Sequence, residues 1–155
     1  MTRRFVCGMF VCEKTFTPLR AYKRNSFCCV SPDSSTVASG SSGGSVRLWD
    51  SRSGNFLGVL EGHTETVYSV DFHRGGQRLV SGGSDGAIRL WDVHTGECLQ
   101  TVDRNWGNVS PLAFSPDGLT LASSMGDRKI ALWYVSAGND ELAADIRIPR
   151  FTLDG

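Results

Sequence analysis

Residues 62–92 read GHTETVYSVDFHRGGQRLVSGGSDGAIRLWD, opening on Gly62-His63 and closing on Trp91-Asp92. The stretch decides the fold because it recurs: Trp91 lies 42 residues after Trp49 and 42 before Trp133. A constant spacing of about 20–50 residues marks a repeat architecture. Set in rows of 42, VRLWD at 46–50, IRLWD at 88–92 and IALWY at 130–134 share a column, each alternating as a half-buried strand does. VASGSSGGS at 37–45, LVSGGSDGA at 79–87 and LASSMGDRK at 121–129 share another, a short strand running into a Gly/Ser-rich hairpin turn. Within it Asp85-Gly86 is a strong signal for a two-residue turn.

Further upstream lie three more strands, in FCCVSPDSS at 27–35, YSVDFHRGG at 68–76 and PLAFSPDGL at 111–119. Ser31-Pro32-Asp33 and Ser115-Pro116-Asp117 end two of them, because proline cannot continue a ladder and presets a turn. Gly54, Gly96 and Gly138 share a column and mark the hairpin into a fourth strand, NFLGVL at 55–60 and ECLQTV at 97–102. Each 42-residue unit is thus expected to be a four-stranded antiparallel meander. One such unit cannot bury both its faces, so neighbours must stack on it.

Composition agrees with an all-β globular chain: 155 residues, 40 % hydrophobic, 21 % charged, with 18 glycines for tight turns. The formal net charge of +0 hides an asymmetry, since residues 1–24 hold six basic side chains against Glu13 alone. The remainder is mildly acidic, which argues against phosphate-backbone binding by the repeats; a nucleic-acid contact would fall to the basic arm and is disfavoured. Five cysteines without a Cys-x-x-Cys pair suggest reduced thiols and no zinc site. Cys28 and Cys29 fall in a predicted strand, where at least one should be buried as a small hydrophobe. No stretch approaches the roughly 20 apolar residues of a membrane span. The start, MTRRFVCGMFVC, is broken by glycine and cysteine and reads poorly as a secretory signal. The expected compartment is the cytoplasm, with the nucleus as alternative.

The GH…WD signature at this period resembles the WD40 repeat, whose blades build a β-propeller. The resemblance covers roughly residues 25–135 and implies WD40-type blades in an incomplete ring of about three. The divisions it suggests are a basic arm or decayed partial blade at 1–24, then repeats at 25–62, 63–104 and 105–155. The last carries an irregular insertion, NDELAADIRIPR at 139–150, and a cut end. RFVC at 4–7 falls in the column of RLW at 47–49, a hint of an earlier strand, while Thr152-Leu153-Asp154-Gly155 resembles Val59-Leu60-Glu61-Gly62.

The resemblance also implies a hydrogen-bonded His, Ser, Asp and Trp set inside a blade, and only His63, Ser81, Asp85 and Trp91 supply all four. Ser39 and Trp49 before them, and Ser123, Asp127 and Trp133 after them, are the related positions; Ala21, Gly43 and Asn105 break the pattern. Taken alone, His63, Asp85 and Ser81 suggest a catalytic triad, but a triad is recognised by geometry at an open cleft, not by residue types. The structural role is preferred and no enzymatic activity is expected. The three tryptophans could stack on nucleotides, but their strict column favours packing between blades. The Gly/Ser loops lack the lysine of a phosphate loop. Arg47 and Arg89 share a column and read as solvated or laterally paired.

The expected function is a non-enzymatic scaffold for protein or peptide partners, with no cofactor. In the resembling family such contacts lie on the rim beside the Gly-His pair. By column these positions are Thr66, Tyr68 and Ser84; Arg24, Ser26 and Ser42 before them; Asn108, Ser110 and Gly126 after them. The alternative is the regulatory or sensor repeat region of a larger signalling enzyme, an NTPase- or kinase-linked array. Three blades are fewer than the about 4–8 of closed propellers. Missing blades of a longer chain, the favoured reading, or self-association must therefore complete the ring.

Overall fold

A computed structural model describes the backbone of residues 5–7, 10–12, 27–103, 107–125, 129–137 and 144–154. Strands β1 (Phe5–Cys7) and β2 (Phe10–Cys12) pair as an antiparallel two-stranded sheet separate from the rest. The first four-stranded sheet holds β3 (Cys28–Val30), β4 (Thr36–Gly40), β5 (Ser45–Asp50) and β6 (Phe56–Glu61). The second holds β7 (Val67–Phe72), β8 (Arg78–Gly83), β9 (Ala87–Asp92) and β10 (Cys98–Asp103). The third holds β11 (Leu112–Phe114), β12 (Thr120–Met125), β13 (Lys129–Ala137) and β14 (Ala144–Asp154). Each is an antiparallel meander in chain order, and among the described residues the row of three blades does not close into a ring.

The strand register explains which side chains meet. Leu79 pairs with Trp91 and Ser81 with Arg89, so these four share one face of the second blade, here called its front; Val80, Leu90 and Ile88 share the back. The front packs on the preceding blade: Val67, Val70, Phe72, Leu79 and Trp91 form one cluster with Ala38, Val46, Leu48 and Leu60 of the first blade. The back repeats the arrangement one blade on, where Val80, Ile88 and Leu90 meet Val109, Leu112, Leu121, Ala131, Trp133 and Val135. The core therefore lies in two seams between blades.

Close approach at each seam depends on a residue without a Cβ. A side chain on Gly40 would stand 2.9 Å from both the Val67 side chain and the Val67 carbonyl, and one on Gly82 would stand 2.8 Å from Val109. Backbone bonds cross the seams at the same end: the Val67 N–H donates to the Ser41 carbonyl at 3.0 Å and the Val109 N–H to the Gly83 carbonyl at 3.1 Å.

Three expectations need adjusting. Strand 88–92 does not merely alternate: in the second blade all of β8 and nearly all of β9 is buried, because neighbouring blades cover both faces. Alternation in the sequence signals one covered face, and a stacked middle blade has two. The connection at Asp85-Gly86 is also longer than two residues, since β8 ends at Gly83 and β9 starts at Ala87. Gly86 takes φ 73°, so Ser84–Gly86 forms a three-residue loop with its last residue left-handed. Finally, the segment 139–150 is not irregular throughout: from Ala144 it belongs to β14, paired with β13 through Ala137↔Ala144 and Tyr134↔Arg147 to Lys129↔Asp154, with register shifts around Trp133. Extra residues between Ala137 and Ala144 carry this strand past the fourth-strand column, which disguised it as an insertion. Phe5–Cys7, by contrast, is a strand within the stretch 4–7 that hinted at one.

Candidate functional site

The link from β6 to β7 and the turn from β8 to β9 bring His63 and Asp85 together with Ser81 of β8 and Trp91 of β9. The Trp91 indole N–H donates to the Ser81 hydroxyl oxygen at 2.7 Å, and the hydroxyl lies 2.7 Å from His63 Nε2. His63 Nδ1 lies 3.0 and 2.9 Å from the two Asp85 carboxylate oxygens. Burial holds the His63 pKa below its ordinary value, so the ring is neutral. Only one proton arrangement satisfies every partner: Trp91 donates to Ser81, Ser81 to Nε2, and Nδ1–H to Asp85.

Asp85 ends the chain. Burial opposes its ionisation, but the His63 hydrogen bond and the Thr64 and Ala87 N–H groups outweigh it, holding its pKa below the ordinary carboxylate value. In this arrangement the Ser81 hydroxyl is fully buried and saturated by Trp91 and His63, so it has no open path to a substrate. A nucleophile needs an accessible oxygen and a neighbouring site for the reacting atom. The geometry offers a blade fastening.

The flanking blades keep the lower half of the network. Trp49 donates to Ser39 at 3.0 Å and Trp133 to Ser123 at 2.8 Å. Asp127 lies outside the described residues, as do Ala21, Asn105 and Gly126. Arg89 is bonded laterally, its Nη1 donating to Thr101 at 2.9 Å.

The described rim residues gather at the end of the blades that carries the turns between their second and third strands. The Thr66 hydroxyl donates to the Ser42 carbonyl across the first seam at 3.4 Å, and the Ser84 N–H donates to the Thr66 carbonyl at 2.9 Å. Asn108 is exposed, and half-buried Ser110 donates its N–H to the Ser124 hydroxyl at 3.1 Å. Arg24 and Ser26 lie outside the described residues. Tyr68 is half-buried, with the exposed Phe27 ring set edge-on to it at 6.1 Å.

Sequence reasoning missed Phe27, because its column partner in the second blade is Ser69 and nothing marks it as a rim aromatic. It also missed two bonds across the second seam. The Leu112 N–H donates to the Ser69 hydroxyl at 2.9 Å, and the Phe114 N–H to the Asp71 carboxylate at 2.8 Å. Desolvation raises the Asp71 pKa although the Phe114 and Phe72 N–H groups favour its charge. The buried Arg78 guanidinium pairs with Asp92, the acidic half of the Trp-Asp pair. Among the described residues no three His, Cys, Asp or Glu side chains gather as a metal site requires, and no helix is long and apolar enough to cross a membrane.

Comparison with known proteins gives the same repeats. The family described as "WD domain, G-beta repeat" matches residues 12–50, 54–92 and 96–134. These matches end at Asp50, Asp92 and Tyr134, the Trp-Asp column, and so begin before each sheet; the first starts within the stretch read as an arm. The chain is 42 % identical over 52 residues to Autophagy-related protein 16 of Arabidopsis thaliana, covering 34 % of this chain and 10 % of that protein. It is 42 % identical over 50 residues to a Lissencephaly-1 homolog of Monosiga brevicollis, covering 32 % and 12 %. It is 50 % identical over 38 residues to a CCR4-associated factor 4 homolog of Vanderwaltozyma polyspora, covering 24 % and 6 %. The matched stretches thus span about a tenth of these relatives.

Proposed function

Because this chain belongs to the WD40 repeat family, we propose that it is a non-enzymatic platform that binds protein or peptide partners on the rim carrying Thr66, Tyr68 and Ser84. WD40 repeats generally mediate protein–protein interaction, and the finer assignment rests on one observation. Tyr68 stands at the first seam with exposed Phe27 against its edge, so two aromatic rings from adjacent blades meet at the loop end. Paired aromatics on a rigid scaffold supply contact area at little ordering cost, and tyrosine is enriched among residues that dominate binding. The polar neighbours Thr66, Ser42 and Ser84 are partly engaged in backbone bonds that fix the loops around the pair. The cytoplasm is the compartment this reading assumes.

Site-specific photo-crosslinking tests it. A photoreactive phenylalanine at Tyr68 should capture a discrete partner in cells, and one at Arg74, in the turn at the opposite end of the blade, should not. Tyr68→Ala should then cost the identified partner about 2 kcal/mol of affinity. Capture from position 74 alone would place recognition on the other end and defeat the assignment. A regulatory role within a larger signalling enzyme would use the same rim.

A further inference from the structure

At the second seam the middle blade reaches across with side chains at alternate positions. Ser69 and Asp71 of β7 accept the Leu112 and Phe114 N–H groups. His73, two residues further on in the turn from β7 to β8, lies with Nε2 3.3 Å from the Gly118 carbonyl in the turn from β11 to β12. The first seam is built differently in the same three columns: Phe27 meets the Tyr68 ring, Cys29 packs against the apolar cluster, and the Ser31 hydroxyl turns back to Asp33 within its own turn. Ser115, in the same column of the third blade, bonds Asp117 in the same way. Where its neighbours have a serine that closes its own turn, the middle blade therefore has an imidazole that reaches the next blade. The two turns touch closely there. A side chain on Gly118, at φ 71°, would stand 2.5 Å from His73 Nε2 and 3.1 Å from the Arg74 stem, and the Phe114 ring lies edge-on to the imidazole at 5.3 Å.

We propose that this contact is an acid-released latch: a proton taken up by His73 frees the β7–β8 turn from the β11–β12 turn and loosens the second seam independently of the first. A carbonyl only accepts, so the neutral ring carries its proton on Nε2 and leaves Nδ1 bare to accept the Gly75 N–H at 3.3 Å. A second proton goes to Nδ1, where it sets donor against donor and adds positive charge near Arg74 and Arg78. Burial works in the same direction and holds the His73 pKa below its ordinary value, only partly offset by the Gly118 bond. Released from the seam, the imidazole regains that ordinary value, so the open form takes up the proton first and acid favours opening. The closed contact keeps its full advantage above about 6.5 and loses it as the pH falls from there to the lowered value. Of the other charges nearby, Arg78 is engaged by Asp92, and Asp117 on the facing turn lies in the field of Arg74. Asp71 acts in the opposite sense, since burial raises its pKa and its protonation favours the closed contact. The proposal does not rest on the rim reading, because His73 and Gly118 lie in turns at the opposite end of the blades.

Amide hydrogen exchange in the 155-residue chain tests it, because the Leu112 and Phe114 N–H groups are bonded across this seam and the Val67 N–H across the first. Between about pH 7.5 and 5.5, protection factors at Leu112 and Phe114 should fall about three- to tenfold, the upper bound set by a freed imidazole one pH unit below its ordinary value. His73→Gln, whose amide can donate and accept without titrating, should keep the protection at pH 7.5 and abolish the fall at these two amides, leaving Val67 as it is in the unaltered chain. Asp71→Asn removes the opposing titration, so the fall at Leu112 should be as large or larger. A direct reading needs no variant: in the unaltered chain the fall should begin near 6.5 and level off at the pH where the His73 ring itself titrates by nuclear magnetic resonance. A fall that survives His73→Gln would overturn the proposal, and one that shrinks in Asp71→Asn would transfer the effect to Asp71. A matching fall at Val67 that His73→Gln also abolishes would make the loosening global, and a His73 ring titrating at or above 6.5 would remove the latch.

Discussion

Within the second blade, a one-way run of donors from Trp91 through Ser81 and His63 to Asp85 ties three strands' worth of chain to the link that precedes them. His63 is its centre, bonded on both ring nitrogens, and His63→Ala strands the Ser81 hydroxyl and part of Asp85 in a buried place. Unpaired buried polar groups cost about 1–3 kcal/mol. Urea denaturation should show a loss of that size, and an unchanged transition would show that the network carries no stability. These four residues were legible in the sequence because they sit in fixed columns, and bonds between columns repeat with the period. Phe27, Ser69 and Asp71 were not legible, since they act across a seam on a neighbour 41 to 43 residues away whose facing groups differ from blade to blade.

At the level of the strand, β7 does two jobs. It lays Val70 and Phe72 on the first blade and turns Ser69 and Asp71 towards the backbone of β11, whose N–H groups at Leu112 and Phe114 they accept. An innermost strand has an unpaired edge, and side-chain acceptors from the adjacent blade cover part of it. Asp71→Ala should therefore cost about 1–3 kcal/mol and act locally. Hydrogen exchange at the Phe114 amide should accelerate, while amides in β4 and β5 keep their protection; equal loss in all three blades would refute a seam-specific role. The turns from β3 to β4, β7 to β8 and β11 to β12 show how far repetition predicts conformation. Gly76 and Gly118 hold φ 75° and 71°, and Ser34 holds 62° in the same column, so the turn's geometry persists where glycine does not. Strand number and order were readable from columns of Trp, Gly and Pro. The extent of β14 was not, because its pairing is set by contact with β13 after a displaced register.

For the molecule as a whole, the titrating groups point to stability that declines in two steps on acidification. Burial lowers the pKa of both His63 and His73, so below about 6.5 the unfolded chain binds more protons than the folded one and stability falls. His73 links blades too, its Nε2 lying 3.3 Å from the Gly118 carbonyl. The second step lies below the ordinary aspartate range, where Asp85 and Asp92, both lowered, and Asp33, at about 2, lose hydrogen bonds on protonation. Asp71 works in the opposite sense, since its raised pKa means protonation favours the fold. Urea midpoints should drop between pH 7.5 and 5, with a smaller drop in His63→Ala, and drop again below about pH 4. A flat profile from 7.5 to 5 would contradict the neutral buried histidines.

The seams also bear on how such a chain can grow. Because Val80, Ile88 and Leu90 present on one side what Ala38, Val46 and Leu48 present one blade earlier, the second blade's back already fits a front like its own. A tandem duplication of residues 63–104 would create a copy whose back meets the third blade in a joint already present, leaving one new pairing to be accommodated, that of the second blade's back with the copy's front. Blades built on shared columns are interchangeable parts, and ancestry can lengthen or shorten the row one part at a time.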